Sequence, residues 1–194
     1  MKKVALFASG NGTNMQKIAE YFQQHPMDEI EIVCVISDQK EAYVLERAKA
    51  FDIPSHYLTR EQLNTPEMLL PLLKGYNVEA IILAGYLRLI PPFLLSAYPK
   101  RIVNIHPALL PKYGGKGMYG MHVHEAVKKA GEKVSGITIH IIDEDYDRGE
   151  ILFQSTTSID SSDTPIDIAH KVQKLEHAYF APTIAKWLHT LPPM

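Results

Sequence analysis

The chain has 194 residues, 46% of them hydrophobic, with 22 acidic against 20 basic side chains and a net charge of −2 at neutral pH. That length suits one domain with a real core, or a domain with a small appendage, and the near-balanced charge excludes wholesale attraction to nucleic acid or to an anionic membrane. The single cysteine, Cys34, lies in the apolar run from Ile30 to Ile36, so no disulfide framework or thiolate cluster forms within one chain and a buried core thiol is expected.

The start, Met1-Lys2-Lys3-Val4-Ala5-Leu6-Phe7-Ala8, is basic then apolar, but the apolar stretch breaks at Ser9-Gly10-Asn11-Gly12. It is too short for a signal peptide or a membrane span, and a cytoplasmic protein is expected. Short aliphatic runs then alternate with helical periods. Strands are expected near residues 3–8, 30–37, 55–58, 79–84, 102–106, 134–142 and 150–157, and helices near 14–25, 41–51, 66–75, 91–98, 121–130 and 165–189. Thr65 before Pro66 and Thr164 before Pro165 are each a cap residue ahead of a proline at the first helical position. Pro182 is expected to kink the last helix or split it. Alternation of this kind predicts an α/β fold, a Rossmann-like and mostly parallel sheet flanked by helices with right-handed crossovers. The late pair, joined by a short acidic loop, is expected to run antiparallel and make the sheet mixed.

Asn104 and His106 stand two apart in Ile102-Val103-Asn104-Ile105-His106-Pro107, so a strand points both side chains to one face. Pro107 cannot continue a central strand, which puts the pair at the strand's carboxyl end, where open α/β sheets bind ligands. Alone, an Asn-x-His also serves simply to close a strand. A second segment, Asp143-Glu144-Asp145-Tyr146-Asp147-Arg148-Gly149-Glu150-Ile151, adds carboxylates between two apolar strands. Asn104 can donate hydrogen bonds to a developing oxyanion, and Asp147 can orient and charge-stabilise the imidazole. No Ser or Cys stands beside His106 to form an acyl-enzyme, so the set suits direct attack of an amine on an acyl carbon.

Two glycine-containing loops accompany it. Ser9-Gly10-Asn11-Gly12-Thr13-Asn14 follows the first strand and opens the first helix, where backbone N–H groups and the helix dipole favour a phosphate; read bare, it is also a plain structural turn. It lacks the third glycine of a dinucleotide fingerprint and the Lys-Ser/Thr of a P-loop. Ala84-Gly85-Tyr86-Leu87-Arg88-Leu89-Ile90-Pro91-Pro92 leaves the fourth strand, and its aliphatic side chains either sandwich a flat ring or simply enter the core. His122 and His124 raise the question of a metal, but a spacing of two sends them to different sides of a helix and nothing nearby completes a tetrahedron.

Taken together, the first loop, Leu87-Arg88-Leu89-Ile90, Asn104-Ile105-His106-Pro107-Ala108-Leu109-Leu110-Pro111 and Asp147-Arg148-Gly149-Glu150-Ile151-Leu152 resemble the phosphoribosylglycinamide formyltransferase family, within the superfamily of folate-dependent formyl transferases and hydrolases. The resemblance covers nearly the whole chain. It implies a single domain over 1–194, with a ribonucleotide-binding half in 1–100 and a catalytic and folate-binding half in 101–194. It further implies Asn104, His106 and Asp147 as the catalytic set. Gly12, Thr13, Asn14 and Glu176 would hold the ribonucleotide. Arg60, Leu87, Arg88, Leu89 and Ile90, with Asn104, Asp143 and Asp147, would hold 10-formyltetrahydrofolate as co-substrate, the loop Asp143 to Asp147 closing on its pterin. Read bare, Arg60 is a surface charge and Glu176 a solvated helix carboxylate. No metal, nucleic acid or membrane partner is implied, only small-molecule substrates, and the chain is equally compatible with a monomer or a homodimer.

The Asn-x-His-Pro block is common to the superfamily, so it bears on the chemistry and not on the acceptor. The first loop and the short chain are what favour glycinamide ribonucleotide over the acceptors of methionyl-tRNA formyltransferases or the water of formyltetrahydrofolate hydrolases. One departure from the family's bacterial pattern is a longer, glycine-rich stretch, Gly114-Gly115-Lys116-Gly117-Met118-Tyr119-Gly120-Met121, in which Lys116 is either a phosphate contact or solvated. Two readings from other classes are a non-catalytic ligand-binding α/β module and a nicotinamide dehydrogenase using Asp38 as its ribose-binding acid. Neither explains Asn104, His106 and Asp147 together.

Overall fold

A computed structural model describes every residue of the chain except Glu144, Asp145, Tyr146 and Arg148. Its seven strands are β1 (Lys2–Phe7), β2 (Ile30–Ser37), β3 (Ser55–Tyr57), β4 (Ala80–Leu83), β5 (Ile102–His106), β6 (Val134–Ile141) and β7 (Ile151–Ser158). They form one sheet in the order β3-β2-β1-β4-β5-β6-β7. The first five are parallel, while β5 with β6 and β6 with β7 are antiparallel, as the short link between the last two strands requires. The chain builds outward from β1 to β3 and then crosses back to place β4 on the other side of β1. That reversal opens a crevice beyond the carboxyl ends of β1 and β4.

Among the described residues, seven α-helices cover the two faces: α1 (Thr13–Gln24), α2 (Tyr43–Ala50), α3 (Arg60–Leu63), α4 (Pro66–Gly75), α5 (Pro92–Ala97), α6 (Met121–Lys129) and α7 (Pro165–Thr190), with a 3₁₀ turn at Pro26–Asp28. Alternation along β1 sends Val4 and Leu6 into a core shared with α1, α2, α6 and α7, and Ala5 and Phe7 into a second core beneath α4 and α5. Both faces being covered explains why β1, β2 and β4 read as unbroken aliphatic runs. Cys34 belongs to the second core, and burial pushes its thiol up to about 12, so it packs as a small hydrophobe. Among the described residues, no helix is long and apolar enough to cross a membrane.

Three local expectations are corrected. Helix α7 runs unbroken through Pro182, because Phe180, Ala181, Ile184, Ala185, Trp187 and Leu188 around it are all buried and their packing outweighs one lost backbone bond. Thr164 does cap it, in a capping box with Asp167. Thr65 does not cap α4: its hydroxyl donates instead to the Glu61 carbonyl at 2.8 Å, closing α3, a short helix that the periodicity missed and that has its own capping box in Thr59 and Gln62.

The β6–β7 pairing depends on a residue without a side chain. A Cβ on Gly136 would lie 2.0 Å from the Ser155 carbonyl oxygen and 2.8 Å from Leu109 Cδ2, and backbone cannot yield as a flexible side chain does. Gly136→Ala is therefore expected to lower the melting temperature by on the order of 10 °C, measured by thermal unfolding.

Candidate active site

The crevice at the strand-order reversal is a cleft of about 410 Å³. It is lined by the β4–α5 loop from Gly85 to Ile90, by Asn104 and His106 at the end of β5, and by Gly115 to Gly120 ahead of α6. His124 of α6, Asp143 and Asp147 after β6, Asn14 of α1 and Glu176 of α7 complete it. The sequence-derived sets thus converge: all three catalytic candidates, the Leu87 to Ile90 stretch, Asp143, Asn14 and Glu176 face one space. Gly12 and Thr13 flank it. Arg60 lies on α3, outside the lining, and most of the loop expected to close on the pterin, Glu144 to Tyr146, lies outside the described residues.

Asn104 and His106 share a face of β5, and antiparallel register sets His140 opposite Asn104 and Thr138 opposite His106. His106 is 4% exposed. Its Nε2 donates to the Tyr113 carbonyl at 2.7 Å, which fixes the neutral tautomer and leaves the Nδ1 lone pair facing Asp147 Oδ2 at 3.6 Å. Burial lowers the His106 pKa below its ordinary value, against the pull of Asp147 and the Tyr113 bond. For Asp147, burial alone would raise the carboxyl. A bond from His140, the charges of His106 and His140, and the Gly115 N–H at 2.9 Å outweigh it and hold the group below the ordinary carboxylate range. The backbone at Asp147 takes a left-handed φ of 54°, which an Asp tolerates better than most residues.

Thr138 secures the turn after His106. Fully buried, it donates to the Ala108 carbonyl at 2.7 Å and accepts from the Leu110 N–H at 3.0 Å and from Gln154 at 2.8 Å. Nothing in the sequence reading marked Thr138, His140 or Gln154. The signal was there in Ile137-Thr138-Ile139-His140-Ile141, whose polar residues alternate with aliphatic ones and so face away from the aliphatic core.

At one end of the cleft, Asn14 Nδ2 donates to Glu176 Oε2 at 2.9 Å, and burial pushes that carboxyl above its usual range despite the bond. Glu176 is thus not the solvated carboxylate that its helix position alone indicates. The first loop is held tight by Gly12, whose φ of 79° begins α1 and whose missing Cβ would sit 2.5 Å from Val44 Cγ2. Arg47, unmarked in the sequence, braces it through the Asn11 carbonyl at 2.8 Å and the Asn11 side chain at 2.6 Å. At the other end, Arg88 Nε donates to Asp38 Oδ2 at 2.5 Å, and the Leu87 N–H reaches Ser9 Oγ at 3.0 Å, tying the two glycine loops together. Asp38 is buried in that ion pair, so it is not the free ribose-binding acid of a dehydrogenase. His122 is exposed beside Glu125 whereas His124 is buried, and among the described residues no group of three His, Cys, Asp or Glu could hold a metal ion.

An amide, an imidazole and a carboxylate, with no Ser or Cys among the described lining residues, share a cleft at a switch point of an α/β sheet, a set that direct acyl transfer can use. The model of the formyl transferase family matches residues 2–184. The chain is 39% identical over 192 residues to phosphoribosylglycinamide formyltransferase of Bacillus subtilis, covering 97% of this chain and 95% of that one. It is 40% identical over 188 residues to the chloroplastic phosphoribosylglycinamide formyltransferase of Arabidopsis thaliana, covering 94% of this chain but 64% of the longer relative. The crystal structure of phosphoribosylglycinamide formyltransferase from Bacillus halodurans superposes with a TM-score of 0.87 at 38% identity, over 97% of this chain and 96% of that one. The chain belongs to the formyl transferase family and, within it, to the phosphoribosylglycinamide formyltransferases.

His124 gives the cleft a measurable acid sensitivity. Burial, with His106 nearby, lowers its pKa to about 4, and its Nδ1 has no partner among the described residues. The unfolded chain binds this proton near pH ~6.5, the folded chain only near 4, so between those values the unfolded state holds more protons and stability falls as pH falls. The loss is on the order of 3 kcal/mol. Chemical denaturation at stepped pH is expected to show this decline, and His124→Leu is expected to flatten it.

Proposed function

We propose that this protein transfers the formyl group of 10-formyltetrahydrofolate to the amine of 5′-phosphoribosylglycinamide, in the cytoplasm, as a step of de novo purine synthesis. The observation that carries the reading is the convergence of Asn104, His106 and Asp147 on a cleft that also contains Asn14 with Glu176 and the Leu87 to Ile90 loop.

In this reading the phosphate lies against the N–H groups of Gly12, Thr13 and Asn14 at the start of α1, with Glu176 meeting the glycinamide end. The pterin lies along Leu87 to Ile90, whose backbone reads its polar edge, with Asp143 beside it. The folate's glutamate tail runs out of the cleft to Arg60, whose planar fork matches carboxylates. Both halves of the chain therefore serve both substrates.

The neutral amine attacks the formyl carbon, and the C=O bond becomes a C–O⁻ that Asn104 meets with an N–H. His106, taking a proton on Nδ1, adds positive charge on the same side, and Asp147 stabilises that imidazolium. The proton released by the attacking nitrogen passes through the His106–Asp147 pair to N10 of the folate as the carbon–N10 bond breaks. Formylated ribonucleotide and tetrahydrofolate are the products. The phosphate contributes remote binding energy that positions the amine.

The test is release of tetrahydrofolate from a 10-formyl folate, followed by absorbance with and without glycinamide ribonucleotide. Release that requires the ribonucleotide supports the reading; release without it points to a hydrolase. Asn104→Ala is expected to cost about a hundredfold to a thousandfold in kcat with both KM values nearly unchanged, since an oxyanion donor acts in the transition state. Asp147→Asn should abolish most turnover between about pH 6 and 9. Wild-type turnover in that variant would show that the carboxylate takes no part.

Arg60→Ala is expected to raise KM for the folate and leave KM for the ribonucleotide in place. A larger effect on the ribonucleotide would put this arginine at the other end of the cleft.

A further inference from the structure

His140 is an imidazole beside the site that the chemistry above leaves unused. It is 0% exposed and is absent from the residues that line the cleft, so it cannot meet a substrate. Yet its Nε2 lies 3.2 Å from Asn104 Nδ2 and 3.5 Å from Asp147 Oδ1, touching two of the three groups assigned to catalysis. We propose that His140 is a positioning residue that turns the Asn104 amide toward the cleft and holds the Asp147 carboxylate in place beside His106. The inference rests on the formyl-transfer reading.

The chemistry follows from where a neutral imidazole keeps its only N–H. The Nδ1 of His140 is buried and, among the described residues, has no partner. A proton there would be an unsatisfied buried donor, and the bare Nε2 lone pair would face a carboxylate. A proton on Nε2 points at Asp147 Oδ1 and removes both penalties. With a donor at Nε2, the neighbouring amide is satisfied by its oxygen. A half-turn of the Asn104 amide brings Oδ1 to His140 and aims both N–H bonds at the place where the oxyanion develops. His140 thereby selects the productive orientation of a group whose two faces are otherwise nearly alike in shape. The pairing is built into the sheet, since Asn104 and His140 are direct cross-strand partners.

The titratable groups that meet this network are His106 of β5, Asp147 after β6 and His124 of α6; Ile151 is the β7 residue opposite His140. Removing His140 removes a hydrogen bond that helps keep Asp147 ionised. The Asp147 pKa must then rise, and the pH at which turnover is lost on acidification must rise with it. A His that merely filled space would leave that limb unmoved.

The experiment measures tetrahydrofolate release between about pH 5 and 9 for His140→Ala and His140→Gln, with both substrates varied and folding checked by thermal unfolding. His140→Ala is expected to lower kcat about 10- to 100-fold, with both KM values within about threefold of wild type and the acid limb displaced upward. His140→Gln, which keeps an N–H to offer, should recover part of the turnover, and it carries the test if the alanine variant fails to fold. In an Asn104→Ala background, the loss of His140 should cost clearly less than in the wild type. Wild-type kcat in either variant, a loss confined to KM, an unmoved acid limb, or failure of both variants to fold would overturn the proposal. A wild-type protein that releases no tetrahydrofolate would remove the formyl-transfer reading itself, and this inference with it.

Discussion

The carboxylate of Asp147 is the point at which the separate parts of this cleft are joined. One oxygen faces His106 and accepts the Gly115 N–H, and the other faces His140. The β5 end, the β6 strand and the glycine-rich loop ahead of α6 therefore meet at a single charge. A buried carboxylate is costly unless paired and hydrogen-bonded, and here the surroundings more than repay burial, since the group stays below the ordinary carboxylate range. A left-handed backbone at the same residue adds conformational cost of the kind that persists where neighbouring structure over-determines it.

The sheet makes this convergence possible. The reversal of strand order at β1 opens the crevice, and the change from parallel to antiparallel pairing at β5 puts Thr138 and His140 directly opposite His106 and Asn104. A parallel neighbour would have had to return through a crossover, and the link that carries Asp147 would have begun at the far end of the sheet. Thr138 then pins the turn that follows His106 through two buried hydrogen bonds and accepts a third from Gln154 of β7. Residues in rigid strands thus set the geometry, and loops supply the groups that must reach a substrate.

The ion pair between Asp38 and Arg88 separates this protein from the dinucleotide-binding folds its sheet resembles. Asp38 stands where an acid would take a ribose, but it is buried and committed to the β4–α5 loop. Where a dinucleotide-binding fold has an acid for the ribose, this chain has a brace for one wall of the cleft. A second brace, from Arg47 to Asn11, stiffens the first loop in the same way. The first loop is held by Arg47 from α2 and the second by its own Arg88 on Asp38, and the Leu87 N–H to Ser9 bond links the pair. These contacts fix both loops from positions outside the Asn104, His106 and Asp147 cluster.

Most of the strands were legible from aliphatic runs, because strands covered on both faces carry little else, although β3 and the second half of β7 have no such run, and the antiparallel close followed from a connection too short for a crossover. Asn104 and His106 were legible because the period of a strand is two, and Asp147 because it lies in an acidic loop between apolar strands. The capping of α3 by Thr59, the continuity of α7 through Pro182 and the failure of Thr65 as a cap depended on packing or on competing local bonds, which a periodic pattern does not encode. Only the tertiary structure decided that Glu176, half-buried, is held by Asn14 from 162 residues away, that Asp38 is spent on Arg88, and that His140 reaches two catalytic candidates at once. Each of these depends on which strand lies beside which, and a side chain's chemistry is set by neighbours that sequence distance conceals.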